Sequence, residues 1–169
     1  MEIKLAIKDD LSQIKEILNA VIENLDNNNI SIWNKYYPYE AYREDIEQKR
    51  LYLLKEEDEI IGFISLLPQS IHEDDFKWGK GRALFISRFV INLNYQRMGY
   101  AKYFLDEIIK IAKDKKADML RLTVVKINKP AVSFYEKYGF KKVYGTYQNP
   151  QITKCDNTEF GYELKIKNT

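Results

Sequence analysis

Gln96-Arg97-Met98-Gly99-Tyr100-Ala101-Lys102 lies where an apolar strand gives way to an amphipathic helix, and this junction decides the fold. The apolar run Ala83–Ile91 leads into it, and Ala101, Phe104, Leu105, Ile108, Ile109 and Ala112 lead out at helical spacing. A helix start leaves backbone N–H groups without intrahelical acceptors and carries the positive end of the macrodipole. A glycine at that point lets a ligand approach the backbone closely, so the segment suits a phosphate. The spacing Q-x-x-G-x-A is common by chance, and its strand-to-helix setting gives it weight.

Working outward, the 169 residues predict a single domain over 1–169, long enough for a substantial core. A net charge of +2 gives no support to a nucleic-acid binder, which would carry a basic excess or stripe. The lysines at 110, 113, 115 and 116 read as a solvated helix end, where cations favour the macrodipole. The lone Cys155 excludes an internal disulfide and sits in a polar stretch without an activating neighbour, so it reads as a bystander. No apolar run is long enough to span a membrane, and the N-terminus lacks the apolar core of a signal peptide. A cytoplasmic setting is expected, with no membrane or nucleic-acid partner and no metal.

The periodicities predict a strand over Ile3–Ile7, then a helix capped by Asp9 or Asp10 and carrying Leu11, Ile14, Ile17, Leu18, Val21, Ile22 and Leu25 inward. Asp10 and Gln13 fit the spacing of a capping box. After a tyrosine-rich segment, a short helix is expected over Tyr39–Gln48. Leu51–Leu54 and Ile60–Leu67 read as a hairpin across the charged turn Lys55–Glu59. A polar loop, Pro68–Arg82, precedes the strand Ala83–Ile91, the helix Met98–Lys113 and the strand Leu120–Val125. A helix over Pro130–Lys137 ends at Gly139, and the strands Phe140–Tyr147 and Glu159–Ile166 close the chain. Helices interrupting a run of hairpins imply an α/β (α+β) fold with a mixed sheet flanked by helices. An all-parallel dinucleotide fold is disfavoured, since no G-x-G-x-x-G follows the first strand.

A second motif sharpens this reading. Asn128, Ala131, Phe134, Tyr135, Gly139 and Phe140 match N-x-x-A-x-x-F-Y-x-x-x-G-F, and Gln96, Gly99 and Ala101 match Q/R-x-x-G-x-G/A. In both motifs and in element order the chain resembles the GNAT superfamily of acyl-CoA-dependent N-acetyltransferases. The resemblance implies a central, mostly antiparallel mixed sheet of about six to seven strands with about four helices, in which a splayed strand pair forms the CoA site. It implies acetyl-CoA as cosubstrate and CoA as product. Gln96, Arg97, Met98, Gly99, Tyr100, Ala101 and Lys102 would then hold the pyrophosphate. Phe89, Val90 and Ile91 would pair with the pantetheine arm, a backbone N–H near Phe89 polarising the thioester carbonyl. Asn128 would contact the same arm, or serve only as a helix cap. Tyr135 would be the general acid for the departing thiolate, the plainer alternative being a packed aromatic beside Phe134.

Two departures matter. Leu93 stands where members often carry proline, and Leu84-Phe85-Ile86-Ser87-Arg88 holds no carboxylate where some place a glutamate base. His72, Glu73, Asp74 and Asp75 are other sources of a base, none singled out, and His72 reads first as an ordinary loop residue. Trp33, Tyr36 and Tyr37 follow the first helix, where they would form an aromatic wall for an amine or a hydrophobic staple between helices. The expected activity is acetyl transfer to a primary amine of a small molecule or peptide, by direct attack in a ternary complex of a monomer or homodimer. The alternative is a non-catalytic acyl-CoA-binding or regulatory module.

Overall fold

The computed structural model describes residues 1–68 and 72–167. Of the loop expected over Pro68–Arg82, residues 69–71 lie outside the described residues. The elements follow the expected order: β1 (Glu2–Leu5), α1 (Leu11–Asn27), α2 (Tyr39–Glu47), β2 (Leu51–Glu56), β3 (Glu59–Leu67), β4 (Ala83–Ile91), α3 (Tyr100–Asp114), β5 (Met119–Val125), α4 (Lys129–Tyr138), β6 (Lys141–Gln148) and β7 (Thr158–Lys165). The strands form a mixed sheet ordered β1-β2-β3-β4-β5-β7-β6. Pairing is antiparallel for β1–β2, β2–β3, β5–β7 and β6–β7, and parallel for β4–β5.

The chain divides into two compact units, Met1–Leu66 with Ser87–Ile108, and Leu67–Ile86 with Ile109–Thr169. In the first, the helical spacing of Ile14, Ile17, Leu18 and Val21 brings all four onto one face of α1. That face packs in one cluster with Tyr42 and Ile46 of α2, Leu51 and Leu53 of β2, Ile60 and Phe63 of β3, and Val90 of β4. In the second, Leu120, Leu122, Val124, Tyr135, Phe140 and Tyr162 are buried. There the parallel ladder of β4 and β5 has the rungs Ala83↔Met119, Leu84↔Leu120 and Phe85↔Arg121. β4 continues for six residues past the last of them, to Ile91.

Two local expectations are corrected. Asp10 does not cap α1 through its side chain. It ends a 3-10 turn, Lys8–Asp10, so its carboxylate reaches back to accept from the Ile7 N–H at 2.9 Å. Its other oxygen meets Lys55 Nζ at 3.3 Å, and both residues are buried. Lys55 therefore belongs to β2 and not to the hairpin turn. The turn itself is Glu57-Asp58, with Glu57 at φ +53°.

Candidate functional site

The loop before α3 is built from two short pieces of backbone. Asn92 accepts the Asn94 N–H at 3.1 Å and so caps a 3-10 turn over Leu93–Tyr95. This Asn cap sets the turn at the place where proline was missed, and it went unrecognised in the sequence although Asn92-Leu93-Asn94 carries its spacing. Gln96 leaves the turn extended and donates its side-chain amide to the Ile91 carbonyl at 3.0 Å. Arg97 and Gly99 then adopt φ of +61° and +87°. Backbone that alternates into the left-handed region turns successive N–H groups toward one concavity, the arrangement that receives anions.

Tyr103 makes the first helical bond, to the Gly99 carbonyl at 3.1 Å, so the amides ahead of it occupy the first turn of α3. The Gln96 N–H is instead directed at the Leu93 carbonyl at 3.4 Å, inside the 3-10 turn. Within the expected segment Gln96–Lys102, the left-handed residues and the helix start thus lie over Arg97–Lys102, with the Gln96 N–H turned back on Leu93. Residues 96–99 are exposed, and a Cβ added at Gly99 would meet nothing within 4 Å. The glycine is needed for its backbone angle, and its outer side is open to a phosphate. Lys102 forms an ion pair with Asp106 at 2.8 Å.

Upstream, β4 carries a second left-handed residue, Arg88, at φ +51°. A positive φ within a strand is the mark of a bulge, which re-aims the residues that follow. Val90 faces the α1–α2 core, while the Phe89 ring meets Phe104 of α3 edge-on at 5.7 Å. Gly62 of β3 presses against this stretch. A Cβ there would fall 2.7 Å from both the Val90 carbonyl oxygen and Ile91 Cδ1, so only glycine allows the approach. Arg88 itself is tied down: its carbonyl accepts from the Tyr42 hydroxyl at 2.7 Å, and its guanidinium donates to the Asp45 carboxylate.

Asp45 is fully buried and also accepts from Arg50 Nε at 2.6 Å and from the Ser65 hydroxyl. Tyr37 also acts on Arg88 electrostatically. Burial opposes the charge on Arg88, and Asp45 and Tyr37 together more than offset that penalty, so its pKa is raised. These long-range ties were not foreseen. The available signal was a cation inside an otherwise apolar strand, with Tyr42 and Asp45 three residues apart on one helix.

The tyrosine-rich segment separates into different roles. Trp33 is part-buried against the α1–α2 core, as a staple would be. Tyr36 is 64% exposed, with Lys35 Nζ 5.0 Å from its ring centre. Tyr37 is half-buried and engaged with Arg88.

In the second unit, Asn128 is the N-cap of α4, its side-chain oxygen accepting from the Ala131 N–H at 3.4 Å, and Pro130 lies in the first turn. Tyr135 is buried and meets Phe134 and Phe140 at ring distances of 5.3 and 5.6 Å. Burial pushes its phenol well above the ordinary range, so it keeps its proton throughout physiological pH. Gly139 ends α4 at φ +121°, as its position predicted. His72 Nδ1 lies 3.5 Å from Asp75 Oδ2, and the imidazole stacks on Tyr147 at 3.9 Å.

The model of the acetyltransferase (GNAT) family matches residues 18–140, nearly three-quarters of the chain and both motifs. The chain belongs to this family. GNAT proteins use acetyl-CoA as cosubstrate, and an acetyltransferase enzyme is the activity that membership supports. No curated protein matches significantly. Among solved structures, a candidate acetyltransferase from Staphylococcus aureus Mu50 is 28% identical with a TM-score of 0.74, covering 99% of this chain and 100% of its own. A GNAT acetyltransferase from Streptococcus agalactiae 2603 is 19% identical, TM-score 0.75, covering 99% and 96%. A ribosomal-protein-alanine N-acetyltransferase from Brucella melitensis shares the GNAT fold at 20% identity and TM-score 0.72, covering 98% and 99%. No described helix is long and apolar enough to cross a membrane.

Proposed function

We propose that this chain is an N-acetyltransferase, acting as one domain, that moves acetyl from acetyl-CoA to a primary amine by direct attack in a ternary complex. The observation that carries this reading is a candidate cradle at Arg97–Lys102, where two left-handed residues lead into a helix start and the side of Gly99 is unobstructed. Its amides hold the pyrophosphate, and backbone of Phe89–Ile91 pairs with the pantetheine arm. The Phe89 N–H polarises the thioester carbonyl and takes the charge that develops on its oxygen. As the amine nitrogen bonds the acyl carbon and the C–S bond breaks, Tyr135 gives its proton to the thiolate sulfur. The proton shed by the amine passes to water and restores the phenol. Asn128 orients the arm through its side-chain amide, its oxygen already spent on the α4 cap.

No carboxylate on β4 stands ready as a base, since Arg88 occupies that stretch and Asp45 is taken up by three donors. This favours a second reading, an acyl-CoA-binding module without turnover. One experiment separates the two: thiol release from acetyl-CoA over a panel of primary amines, run beside thermal shift with CoA. Release above background with at least one amine supports the transferase. A CoA-dependent rise in melting temperature without release on any amine supports the module.

A further inference from the structure

The left-handed residue of β4 is gripped at both ends by one face of α2. Tyr42 and Asp45 are three residues apart and fully buried; the Tyr42 hydroxyl donates to the Arg88 carbonyl at 2.7 Å, and Asp45 takes the Arg88 guanidinium. The Arg88 carbonyl is one half of the peptide whose other half is the Phe89 N–H, so a hydrogen bond to the oxygen fixes the plane in which that N–H points. We propose that Tyr42, Asp45 and Arg88 are positioning residues that aim the Phe89 N–H of the acyl site, acting on turnover without touching the cosubstrate. The inference rests on the transferase reading given above.

The arrangement has the features of a clamp more than of ordinary packing. A non-glycine residue at φ +51° costs conformational energy and persists only where its surroundings over-determine it. Here the surroundings do so. The carbonyl has a hydroxyl partner, the guanidinium lies 6.0 Å from the Tyr42 ring centre, and Asp45 is itself fixed by Arg50 and Ser65. Tyr42 is steadied in turn by an edge-on contact with Phe63 at 5.1 Å. On the other side, Gly62 sets the distance of β3 from Val90. Arg88 Nε is buried with no hydrogen-bond partner among the described residues, so Asp45 orients the guanidinium at the expense of one donor.

A misaimed oxyanion donor weakens transition-state binding while leaving ground-state binding intact. The test is Tyr42→Phe, which deletes only the hydroxyl and keeps the ring against Phe63. Turnover with an amine found by the panel should fall about tenfold, while KM for acetyl-CoA and Kd for CoA stay within about twofold. Asp45→Asn should act in the same direction, and the two together should lose less than the product of the separate losses, because both act through Arg88. Unchanged turnover in Tyr42→Phe overturns the proposal, as does a loss matched by equal weakening of CoA binding. If the wild-type chain releases thiol with no amine, the transferase reading has failed on its own account. The clamp is then judged by amide hydrogen exchange at Phe89 and Val90, which Tyr42→Phe should accelerate and which, if unchanged, removes it.

Discussion

The β4 bulge and the loop before α3 solve the same backbone problem in opposite ways. Each places a non-glycine residue in the left-handed region, Arg88 at φ +51° and Arg97 at φ +61°. Arg88 is held by partners from α2, through bonds spanning 46 and 43 residues of sequence. The turn at Arg97 is exposed, and it is held only at its base, by the Asn92 cap, the Gln96 bond to Ile91 and the bonds of Asn92 and Tyr95 to Ile60, Ile61 and Glu59 of β3. Around Arg88 the fold fixes the backbone with a buried polar network. Around Arg97 and Gly99 it leaves the backbone exposed to solvent. On the proposed transferase reading, rigidity lies at the acyl end of the cosubstrate and openness at its phosphate end.

The sharpest way to break the comparison is to remove Asp45. Asp45→Ala leaves Arg88 buried without its carboxylate, and losing one partner of a buried pair costs about 3–5 kcal/mol. For a chain of this length that is a fall in melting temperature on the order of 10 °C, read by calorimetry. A fall under about 2 °C would show that the network is solvated and that the contrast with the loop is false. Substitution in the loop should do the reverse. Gly99→Val puts a β-branched residue at φ +87° and closes the open side, so CoA affinity by titration calorimetry should drop at least about tenfold, roughly 1.4 kcal/mol. Unaltered CoA affinity would remove the cradle as the pyrophosphate site.

Tyr135 probes the proposed acid step. Tyr135→Phe should lower turnover about a hundredfold with little change in CoA affinity, the range seen for a positioned acid. Its pH behaviour has a definite sign. Burial raises the folded pKa, so below about 10 the phenol is protonated in folded and unfolded chains alike, and its contribution to stability is fully present. Above that value the unfolded chain ionises first and the contribution is lost as pH rises. Tyr162, pushed up to about 12 by burial and by its bond to Glu136, adds to the same alkaline loss. Denaturation followed from pH 7 to 11 should show stability falling only above about 10, less steeply in Tyr135→Phe. A fall beginning near pH 8 would place its origin elsewhere.

What the sequence revealed follows the same division. The element order, the β4 limits and the Gly139 stop were legible because periodicity, caps and turns are local signals. The turn into α3 was legible because its motif spans seven consecutive residues. Local rules failed where a charged side chain found a distant partner. Lys55 looked like turn material and is a buried strand residue paired with Asp10; Asp10 looked like a cap and is spent on Lys55 and Ile7. Arg88 looked like the place where a base was missing, and it is the residue that α2 grips. Spacing along the chain carries no information about a bond that closes only when two elements pack.

The smallest predicted effect sharpens the comparison from the loop's side. Asn92 is one of the loop's few side-chain holds, accepting from Asn94 N–H at 3.1 Å and donating to the Ile60 carbonyl at 3.3 Å. Asn92→Ala should cost about 1 kcal/mol, the ordinary value of a lost cap, seen as a shift of a few degrees in melting temperature. The more telling quantity is where that cost falls. If the loop is an open, separately held element, CoA affinity should weaken by about the same 1 kcal/mol, roughly fivefold, while amide exchange at Phe89 and Val90 is unchanged. Faster exchange at Phe89 would mean that the turn at Leu93–Tyr95 also steadies the bulge, and that the two left-handed segments form one cooperative unit.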